Sequence, residues 1–275
     1  MSNNEFTPPC FPQLPRTAFA IFIFYMTYKL VIRSFTGTKL DKRKWGVETY
    51  IAAAVHQINC FVLGMYLMYR VYNLQDYSLY SKWLALSFFD SERHAIFKDI
   101  NTLDGIFVLG QSIEMLTDFL LYLRYPAFGK SYCIHHMTTL LCSTSSFFAV
   151  VPVGAPIVVT TVMETGGLAL NVVSMRTSLW PKVAPPAWIF TFRLYFYSCS
   201  RLIATIFIAL MTPHLFGSPT QIICMTLIYA LLFVNLSWVY TMWKTKFKVD
   251  SRRKHKSKEG NLIAQHEKEM AGFAD

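Results

Sequence analysis

The sequence predicts an all-α fold, a polytopic membrane bundle of about seven transmembrane helices. Of the 275 residues, 53% are hydrophobic and only 15% are charged, whereas about a quarter of the residues in a soluble domain are charged. Apolar segments of roughly 20 residues, the length that a helix needs to cross the hydrocarbon core, alternate with polar or proline-bearing breaks. A soluble protein of this class is excluded, because one core of this size could not bury so much apolar surface.

Seven apolar segments define the predicted helices. The first is expected to be an uncleaved anchor, because the lumenal tail 1–16 lacks a basic region and no small-residue cleavage site follows. Residues 45–243 then form one six-helix domain, and 244–275 form a basic cytoplasmic tail whose end, 259–275, is expected to be disordered or weakly helical. The predicted spans are 17–36, 48–72, 104–124, 132–150, 154–175, 187–212 and 220–243.

The distribution of lysine and arginine predicts the orientation, since basic residues collect in cytoplasmic loops. They follow the first, third, fifth and seventh spans, whereas the connections 151–153 and 213–219 contain none. In the remaining connection, 73–103, three basic residues are balanced by four acidic ones. This alternation places the N-terminus in the lumen or outside and the C-terminus in the cytoplasm. The net charge of +10 is concentrated in the tail, where anionic lipids attract cations. The charge therefore does not indicate a nucleic-acid partner.

Ionisable and amide side chains inside the spans predict a polar cavity that opens toward the cytoplasm. Such groups are costly in hydrocarbon unless they face water or a partner. With a rise of 1.5 Å per residue, they lie between roughly 5 and 18 Å below the cytoplasmic boundary, on six different helices. These residues are His56, Glu114, Asp118, His135, His136, Glu164, Asn171, Arg193 and Asn235.

The paired histidines of the fourth span are the strongest candidates for chemistry. Glu114 and Asp118 share one face of the third span, and a carboxylate there could orient an imidazole and raise its basicity. Because adjacent residues are about 100° apart around a helix, one histidine is expected to face the cavity while the other supports it or meets the headgroups. The candidate catalytic residues on this reasoning are His135, His136 and Asp118, and His56 is a further ionisable group of the same cavity. The candidate substrate-binding residues are Glu114, Glu164, Asn171, Arg193, Arg201 and Asn235.

Several polar residues have a structural alternative. Polar groups in a bundle often form interhelical hydrogen bonds worth about 1 kcal/mol or less, and this role is expected for Asn171, Asn235, Thr160, Thr161 and Ser174. Arg193 and Arg201 are either counter-ions of the carboxylates or ligands of an acidic headgroup.

Lys29 and Arg33 are expected to extend toward the basic flank of the first span, with an inward ion pair as the alternative. The six cysteines form no CxxC motif and are expected to be packing residues. No metal site is expected either, because Tyr132 stands three residues before His135 and the other histidines are scattered. Membrane di-iron enzymes and fatty acid elongases, in contrast, carry HxxxH or HxxHH clusters.

The domain 45–243 carries an ordered set of motifs. Lys44-Trp45 precedes the span with His56, Asp118 precedes His135-His136 and Thr139, and Glu164 precedes Asn171, Arg176 and Arg201. In order and spacing, this set resembles the TLC-domain family, which contains ceramide synthases, translocation-associated membrane proteins and membrane-lipid regulators. The resemblance covers six of the seven spans.

This resemblance implies a lipid-handling protein of the endoplasmic reticulum. In ceramide synthases the paired histidines take part in transferring an acyl group from coenzyme A to a sphingoid amine. By resemblance, His135 or His136 would be the nucleophile or general base, supported by Asp118 and His56. The implied partners are membrane lipids, with acyl-CoA as a co-substrate, and a homo-oligomer is a further expectation. No separate cofactor is implied.

The fifth span departs from the ceramide synthase pattern. Where those enzymes carry a second His-Asp and a Ser-Asp-x-x-Leu-Glu stretch, residues 158–168 read VVTTVMETGGL. This difference favours the non-synthase branch of the family, whose members resemble regulators of phospholipid composition or cargo receptors. Gly166-Gly167 would let a helix or an acyl chain approach the backbone closely.

Three hypotheses follow from the sequence. The first is lipid metabolism or membrane-lipid homeostasis, with acyl-CoA-dependent acyl transfer as its enzymatic form. The second is non-enzymatic lipid binding or cargo trafficking. The third, a seven-helix receptor, is disfavoured, because receptor ligand sites usually open outward whereas these histidines lie near the cytoplasm.

Overall fold

The computed structural model describes residues 14–36, 47–73, 103–122, 130–148, 154–180, 186–214 and 219–271. Among these, only Trp180 and Pro186 lie outside helices, which confirms the all-α prediction for this part of the chain. The basic residues of the connections 37–46, 123–129 and 181–185, which include the Lys44-Trp45 motif, fall outside the described residues, as does the start of the N-terminal tail.

Seven α-helices and one short 3-10 turn are present in the described ranges. They are α1 (Leu14–Thr36), α2 (Val47–Asn73), α3 (Leu103–Tyr122), α4 (Lys130–Phe148), α5 (Gly154–Leu179), α6 (Ala187–Met211), the turn Thr212–His214 and α7 (Pro219–Ala271). The predicted spans match these bounds within a few residues, except at the end of α7. There the helix continues to Ala271, so the predicted end at 243 is wrong as a helix end. The continuation is rich in Lys, Arg, Glu, Gln and Ala, which favour helix.

Five helices, α1, α2, α5, α6 and α7, are long and apolar enough to cross a membrane. Their outward side chains support that environment, since Phe35 is 85% exposed and Phe233 is 75% exposed. Exposed apolar surface on this scale would be unfavourable in water. Of the remaining helices, α3 carries the acids Asp104, Glu114 and Asp118, and α4 is rich in hydroxyl groups. The five apolar helices indicate a membrane protein.

By its contacts the chain divides into two units, Met1–Asn235 and Leu236–Asp275. In the first unit α5 packs against α2, α3 and α6, while α3 also contacts α1 and α4. In the second unit, the continuing helix stacks Trp243 on Phe247 at 5.7 Å between ring centroids. The residues proposed for a site all belong to the first unit.

Glycines set the spacing between α5 and its neighbours. A Cβ atom added at Gly64 would lie 1.9 Å from the Thr161 Oγ1 atom, and one added at Gly166 would lie 1.8 Å from the Ser200 Oγ atom. Both distances are far inside van der Waals contact, so α2 and α6 approach α5 at points where only glycine fits. The predicted close helix approach at Gly166-Gly167 is confirmed.

Apolar clusters fill the space between these helices. Leu67 on α2 and Ile157 on α5 are fully buried with Cys60, and Met211 on α6 packs with Cys224 on α7. No disulfide joins the cysteines of the described helices. The buried positions of Cys60 and Cys224 agree with the predicted packing role, whereas Cys10 lies outside the described residues.

Candidate functional site

A cavity of about 80 Å³ lies between α3, α4, α5, α6 and α7 of the first unit. Its polar lining comes from Gln111, His135, Thr139, Ser143, Thr160, Glu164 and Arg201. Its apolar lining includes Ala155, Val159, Ile208, Met211, Met225, Ile228 and Leu232.

The charged residues and most of the apolar residues of the lining lie at different positions along the helices. Along α5 the cavity runs from Ala155 and Pro156 to Glu164, and along the adjacent α6 it runs from Met211 back to Arg201. Eight to ten residues of helix correspond to roughly 12–15 Å. The cavity therefore has a charged end near Glu164 and Arg201. Its other end, near Ala155 and Met211, lies roughly 12–15 Å away.

Lys29 of α1 forms the centre of a charge cluster with two carboxylates of α3. Its Nζ atom lies 2.9 Å from the Glu114 Oε1 atom and 2.5 Å from the Asp118 Oδ1 atom. It also donates a hydrogen bond to the Thr117 hydroxyl at 2.9 Å. Lys29 is 1% exposed, so its predicted extension toward the basic flank is wrong and the inward ion pair is present. Glu114 and Asp118 share one face of α3, and that face points at α1.

His136 completes this charge cluster. Its Nδ1 atom lies 3.0 Å from the Tyr132 carbonyl oxygen, which can only accept, so Nδ1 carries a proton. Its Nε2 atom lies 3.1 Å from the Asp118 Oδ2 atom. With Asp118 ionised, both ring nitrogens donate and His136 is an imidazolium. Two cations, Lys29 and His136, then balance the carboxylates of Glu114 and Asp118 inside the bundle.

The two adjacent histidines occupy different environments. His135 lines the cavity, whereas His136 is buried in the charge cluster and is not part of the cavity lining. Their ring centroids are 5.5 Å apart, in an edge-to-face arrangement. The arrangement agrees with the expectation that one histidine faces the cavity, and His135 is the one in position to touch a ligand. A supporting role of His136 stays a prediction.

His56 belongs to a chain of hydrogen bonds that ends at Glu164. Gln111 donates its amide N–H to the Glu164 Oε1 atom at 3.4 Å, so its amide oxygen is left to accept from His56 Nε2 at 2.9 Å. The Nδ1 atom of His56 then accepts from the Tyr25 hydroxyl at 2.9 Å. His56 is 2% exposed and reaches the cavity only through Gln111.

A second branch approaches Glu164 from the other side. Gln57 donates to the Glu164 Oε2 atom at 3.1 Å, and Asn171 donates to the Gln57 amide oxygen at 2.9 Å. Both branches thus direct N–H groups at the same carboxylate. Asn171 joins α5 to α2, so its predicted interhelical hydrogen bond is confirmed.

Arg201 is held by neutral oxygens. Its Nε atom donates to the Asn235 Oδ1 atom at 3.0 Å, and Nη1 donates to the Ser200 Oγ atom at 3.1 Å and to the Met163 carbonyl oxygen. The guanidinium lies 4.0 Å over the Tyr197 ring. Asn235 also accepts from the Tyr197 hydroxyl at 3.1 Å, so the predicted interhelical role of Asn235 is confirmed.

The two arginines of α6 do not act as counter-ions of the described carboxylates. Arg193 stacks on Phe190 at 5.0 Å, and neither Arg193 nor Arg201 forms an ion pair with an Asp or Glu of the described helices. The counter-ion alternative is therefore wrong for this part of the chain. Binding of an acidic headgroup stays a prediction for both residues.

The predicted set of site residues is thus divided among separate locations. His135, Glu164 and Arg201 line the cavity, while His56, Asn171 and Asn235 contact that lining or lie one residue behind it. Glu114, Asp118 and His136 lie in the charge cluster instead. Of the remaining polar residues with a predicted structural role, Thr160 lines the cavity, and Thr161 bonds to the Ile157 carbonyl of its own helix rather than across helices.

Four contributors were not among the predicted site residues. Tyr25, Gln57 and Gln111 hydrogen-bond to His56 or Glu164, and Lys29 pairs with the α3 carboxylates. The available signal for Gln57 and Gln111 was an amide inside a membrane span, which needs a partner as an acid does. Among the described residues, no three His, Cys, Asp or Glu side chains are grouped so that they could hold a metal ion.

Protein-family models, curated proteins and solved structures were each compared with the chain, and none matched.

Proposed function

We propose that this chain is a multi-pass membrane protein of TLC-domain type, which binds part of a membrane lipid, its headgroup and the adjoining end of one acyl chain, in the cavity and acts in membrane-lipid homeostasis. The observation that carries the proposal is the division of the cavity lining. Three ionisable side chains, His135, Glu164 and Arg201, line the cavity, and the lining beyond them is mostly apolar, with the hydroxyl groups of Thr160 and Ser143 among it. A lipid has the same division between headgroup and acyl chain, and ligand sites usually combine apolar walls with a few placed polar groups.

Water alone is a poorer occupant of such a cavity. Its charged end can hydrate, but the walls of Ala155, Met211, Met225 and Ile228 offer water no hydrogen-bond partners. An acyl chain fills apolar space of this kind at no cost in lost hydrogen bonds. The occupant favoured by the lining therefore carries both a polar group and a hydrocarbon chain.

The proposal includes a topology and a location. In it all seven helices span the bilayer, with the N-terminus in the lumen and the basic tail in the cytoplasm, as the loop charges predict. The ionisable groups of α3 and α4 are tolerated in a bilayer because they face the charge cluster and the cavity. The endoplasmic reticulum is the proposed membrane, by resemblance to the TLC-domain family.

Lipid analysis of the purified protein tests this proposal. Full-length protein extracted in a maltoside detergent is expected to retain lipid, and Ala155→Phe, which fills the apolar end, is expected to lose it. Val172→Phe is the matched control, because Val172 lies on the same helix but points outward and is 44% exposed. Equal lipid retention by the wild type and the Ala155→Phe variant, with both folded, would contradict binding in this cavity.

Acyl transfer from acyl-CoA to a lipid amine is the second candidate, favoured by the position of His135 in the cavity lining. In this reaction the amine nitrogen attacks the thioester carbonyl, His135 takes the amine proton, the C–N bond forms, and the coenzyme A thiolate leaves and is protonated. His136 and Asp118 would position His135 through the adjacent turn of α4.

Incubating the purified protein with acyl-CoA and long-chain amines, followed by mass spectrometry, tests the enzymatic candidate. An amide product that disappears in His135→Ala supports it. Absence of product from folded, lipid-loaded protein would rule out this reaction while leaving lipid binding intact.

A further inference from the structure

We infer that the charged end of the cavity is a site for a zwitterionic lipid headgroup, with its cationic part against Glu164 and its anionic part against Arg201. This inference rests on the proposed lipid-binding function and names the class of lipid. It depends on the surroundings of the two side chains, which are of opposite charge and line one cavity.

Glu164 is supplied with neutral donors but not with a cation. It accepts amide hydrogens from Gln111 at 3.4 Å and from Gln57 at 3.1 Å. Among the described residues, no Lys, Arg or His lies within ion-pair distance of its carboxylate. An acid inside a membrane bundle is costly without a counter-charge, so this carboxylate is suited to a ligand cation.

Arg201 shows the complementary arrangement. Its Nε and Nη1 groups donate only to neutral oxygens, those of Asn235, Ser200 and Met163. No Asp or Glu of the described helices forms an ion pair with Arg201. A guanidinium without an acidic partner presents donors that match a phosphate or carboxylate of a ligand.

The two charges lie close together but remain separate. A Cβ atom added at Gly166 would lie 3.1 Å from the Arg201 Nη1 atom, and one added at Gly167 would lie 3.6 Å from the Glu164 Oε2 atom. Both groups therefore flank the same turn of α5, yet they form no ion pair with each other. Each is held in place by its own neutral partners.

A ligand that carries both charges satisfies both side chains at once. A purely anionic headgroup would leave Glu164 without a cation and would be repelled by it. A purely cationic headgroup would be repelled by Arg201 in the same way, and a neutral headgroup would compensate neither charge. The acyl chain of the ligand then follows the apolar walls toward Ala155 and Met225.

A panel of lipids with matched acyl chains tests the headgroup inference on the wild-type protein. Full-length protein in maltoside micelles is titrated with phosphatidylcholine, phosphatidylglycerol, a diacyl trimethylammonium-propane lipid and diacylglycerol, and binding is measured by native mass spectrometry. We expect phosphatidylcholine to bind about tenfold more tightly than each of the others, since a charge-assisted contact is worth about one power of ten. Equal affinity for all four would overturn the headgroup inference and leave lipid binding standing. Binding of none would overturn both.

Two variants should shift the preference in opposite directions. Glu164→Gln is expected to raise the relative affinity for phosphatidylglycerol, and Arg201→Gln is expected to raise that for the cationic lipid. Arg201→Lys keeps the charge and should keep the wild-type preference. Asp104→Asn is the control, because that carboxylate pairs with Arg70 at 2.5 Å and does not line the cavity.

A loss of affinity that is equal for all headgroups in both variants would mean a structural role only, and would overturn the inference. If either Gln variant fails to fold, the wild-type panel decides by itself.

Discussion

Buried ionisable side chains in this bundle are stabilised by partners of opposite charge. Lys29 contacts Glu114 and Asp118, and His136 contacts Asp118, so that two cations offset two acids. Within hydrocarbon such a cluster tolerates a change in total charge poorly, because an unpaired buried charge keeps its full desolvation cost. His135 stands outside this cluster and lines the cavity.

Lys29→Met is therefore expected to destabilise the protein. It leaves the cluster with one excess negative charge, and breaking a buried ion pair from one side costs about 3–5 kcal/mol. Thermal unfolding of the detergent-solubilised protein measures the effect. Arg16→Met, on the exposed start of the same helix, is the control and should change little.

A compensating substitution distinguishes charge balance from lost packing. Adding Glu114→Gln to Lys29→Met restores neutrality, because Asp118 and His136 remain paired. The double variant should therefore be more stable than Lys29→Met alone. A double variant less stable than the single one would contradict the charge-balance explanation.

The environments of the paired histidines could be predicted only in part. The angle between adjacent residues on a helix predicts that His135 and His136 diverge, and they do. Which of them faces the cavity depends on where α3 places Asp118 beside α4, and on Lys29 approaching from α1. Which histidine faces the cavity is therefore determined by contacts between helices that are far apart in sequence. Helical periodicity alone cannot predict such contacts.

The closest helix contacts in the bundle depend on glycines, which have no side chain. Gly166 allows α6 to approach α5 so closely that Ser200 occupies the place of a Cβ atom, and Gly64 does the same for α2 and α5 at Thr161. Close backbone approach replaces the hydrophobic driving force that is missing between helices in lipid. The charged end of the cavity lies beside the closest α5–α6 contact.

Gly166→Ala is expected to push α6 away from α5. The added methyl group would overlap the Ser200 hydroxyl and its Cβ atom, at 1.8 and 2.6 Å, and overpacking of this kind costs about 1–3 kcal/mol. The variant should unfold at lower temperature and lose bound lipid, because Arg201 would move with α6.

Two further substitutions check this explanation. Gly110→Ala is the matched control, since its nearest neighbour would be the Tyr25 hydroxyl at an ordinary 3.5 Å. Adding Ser200→Gly to Gly166→Ala removes the overlapping atoms and should restore stability. If Gly110→Ala lowers stability as much as Gly166→Ala, the close contact is not the cause.

The helices themselves were largely predictable from the sequence. Apolar segments long enough to span a bilayer gave bounds within a few residues of α1 to α6, because segment length and polarity are local properties. The end of α7 was mislocated, because the change from apolar to basic sequence after Trp243 marks the end of the apolar segment and not the end of the helix, which continues to Ala271. The hydrogen bonds of Gln57 and Gln111 were missed for another reason, since neither residue carries a charge.

The described helices of the first unit present apolar side chains outward and polar groups inward. Exposed residues such as Phe35, Leu210 and Phe233 cover the outer faces, while the charge cluster and the charged end of the cavity lie inside. This inversion relative to a soluble protein is what a bilayer requires. The proposed orientation, with a lumenal N-terminus, comes from loop charges and can be tested separately.

Engineered glycosylation sites test the orientation. Phe6→Thr creates an Asn-x-Thr acceptor at Asn4, and Ile263→Thr creates one at Asn261 in the basic tail. Only the first should be glycosylated in microsomes, because the modification occurs in the lumen. The natural acceptor at Asn235 is fully buried and provides a background control. Glycosylation at Asn261 would reverse the proposed topology.

The location of bound lipid is the most direct test of the cavity proposal. A phospholipid with a photoactivatable acyl chain is added to membranes that contain the full-length protein, and the cross-linked residues are mapped by mass spectrometry. Cross-links are expected at Met225 and Ile228 inside the cavity, and Ala155→Phe should abolish them. Cross-links confined to outward residues such as Leu210 and Phe233, unchanged by Ala155→Phe, would show that lipid only surrounds the bundle and would contradict the proposal.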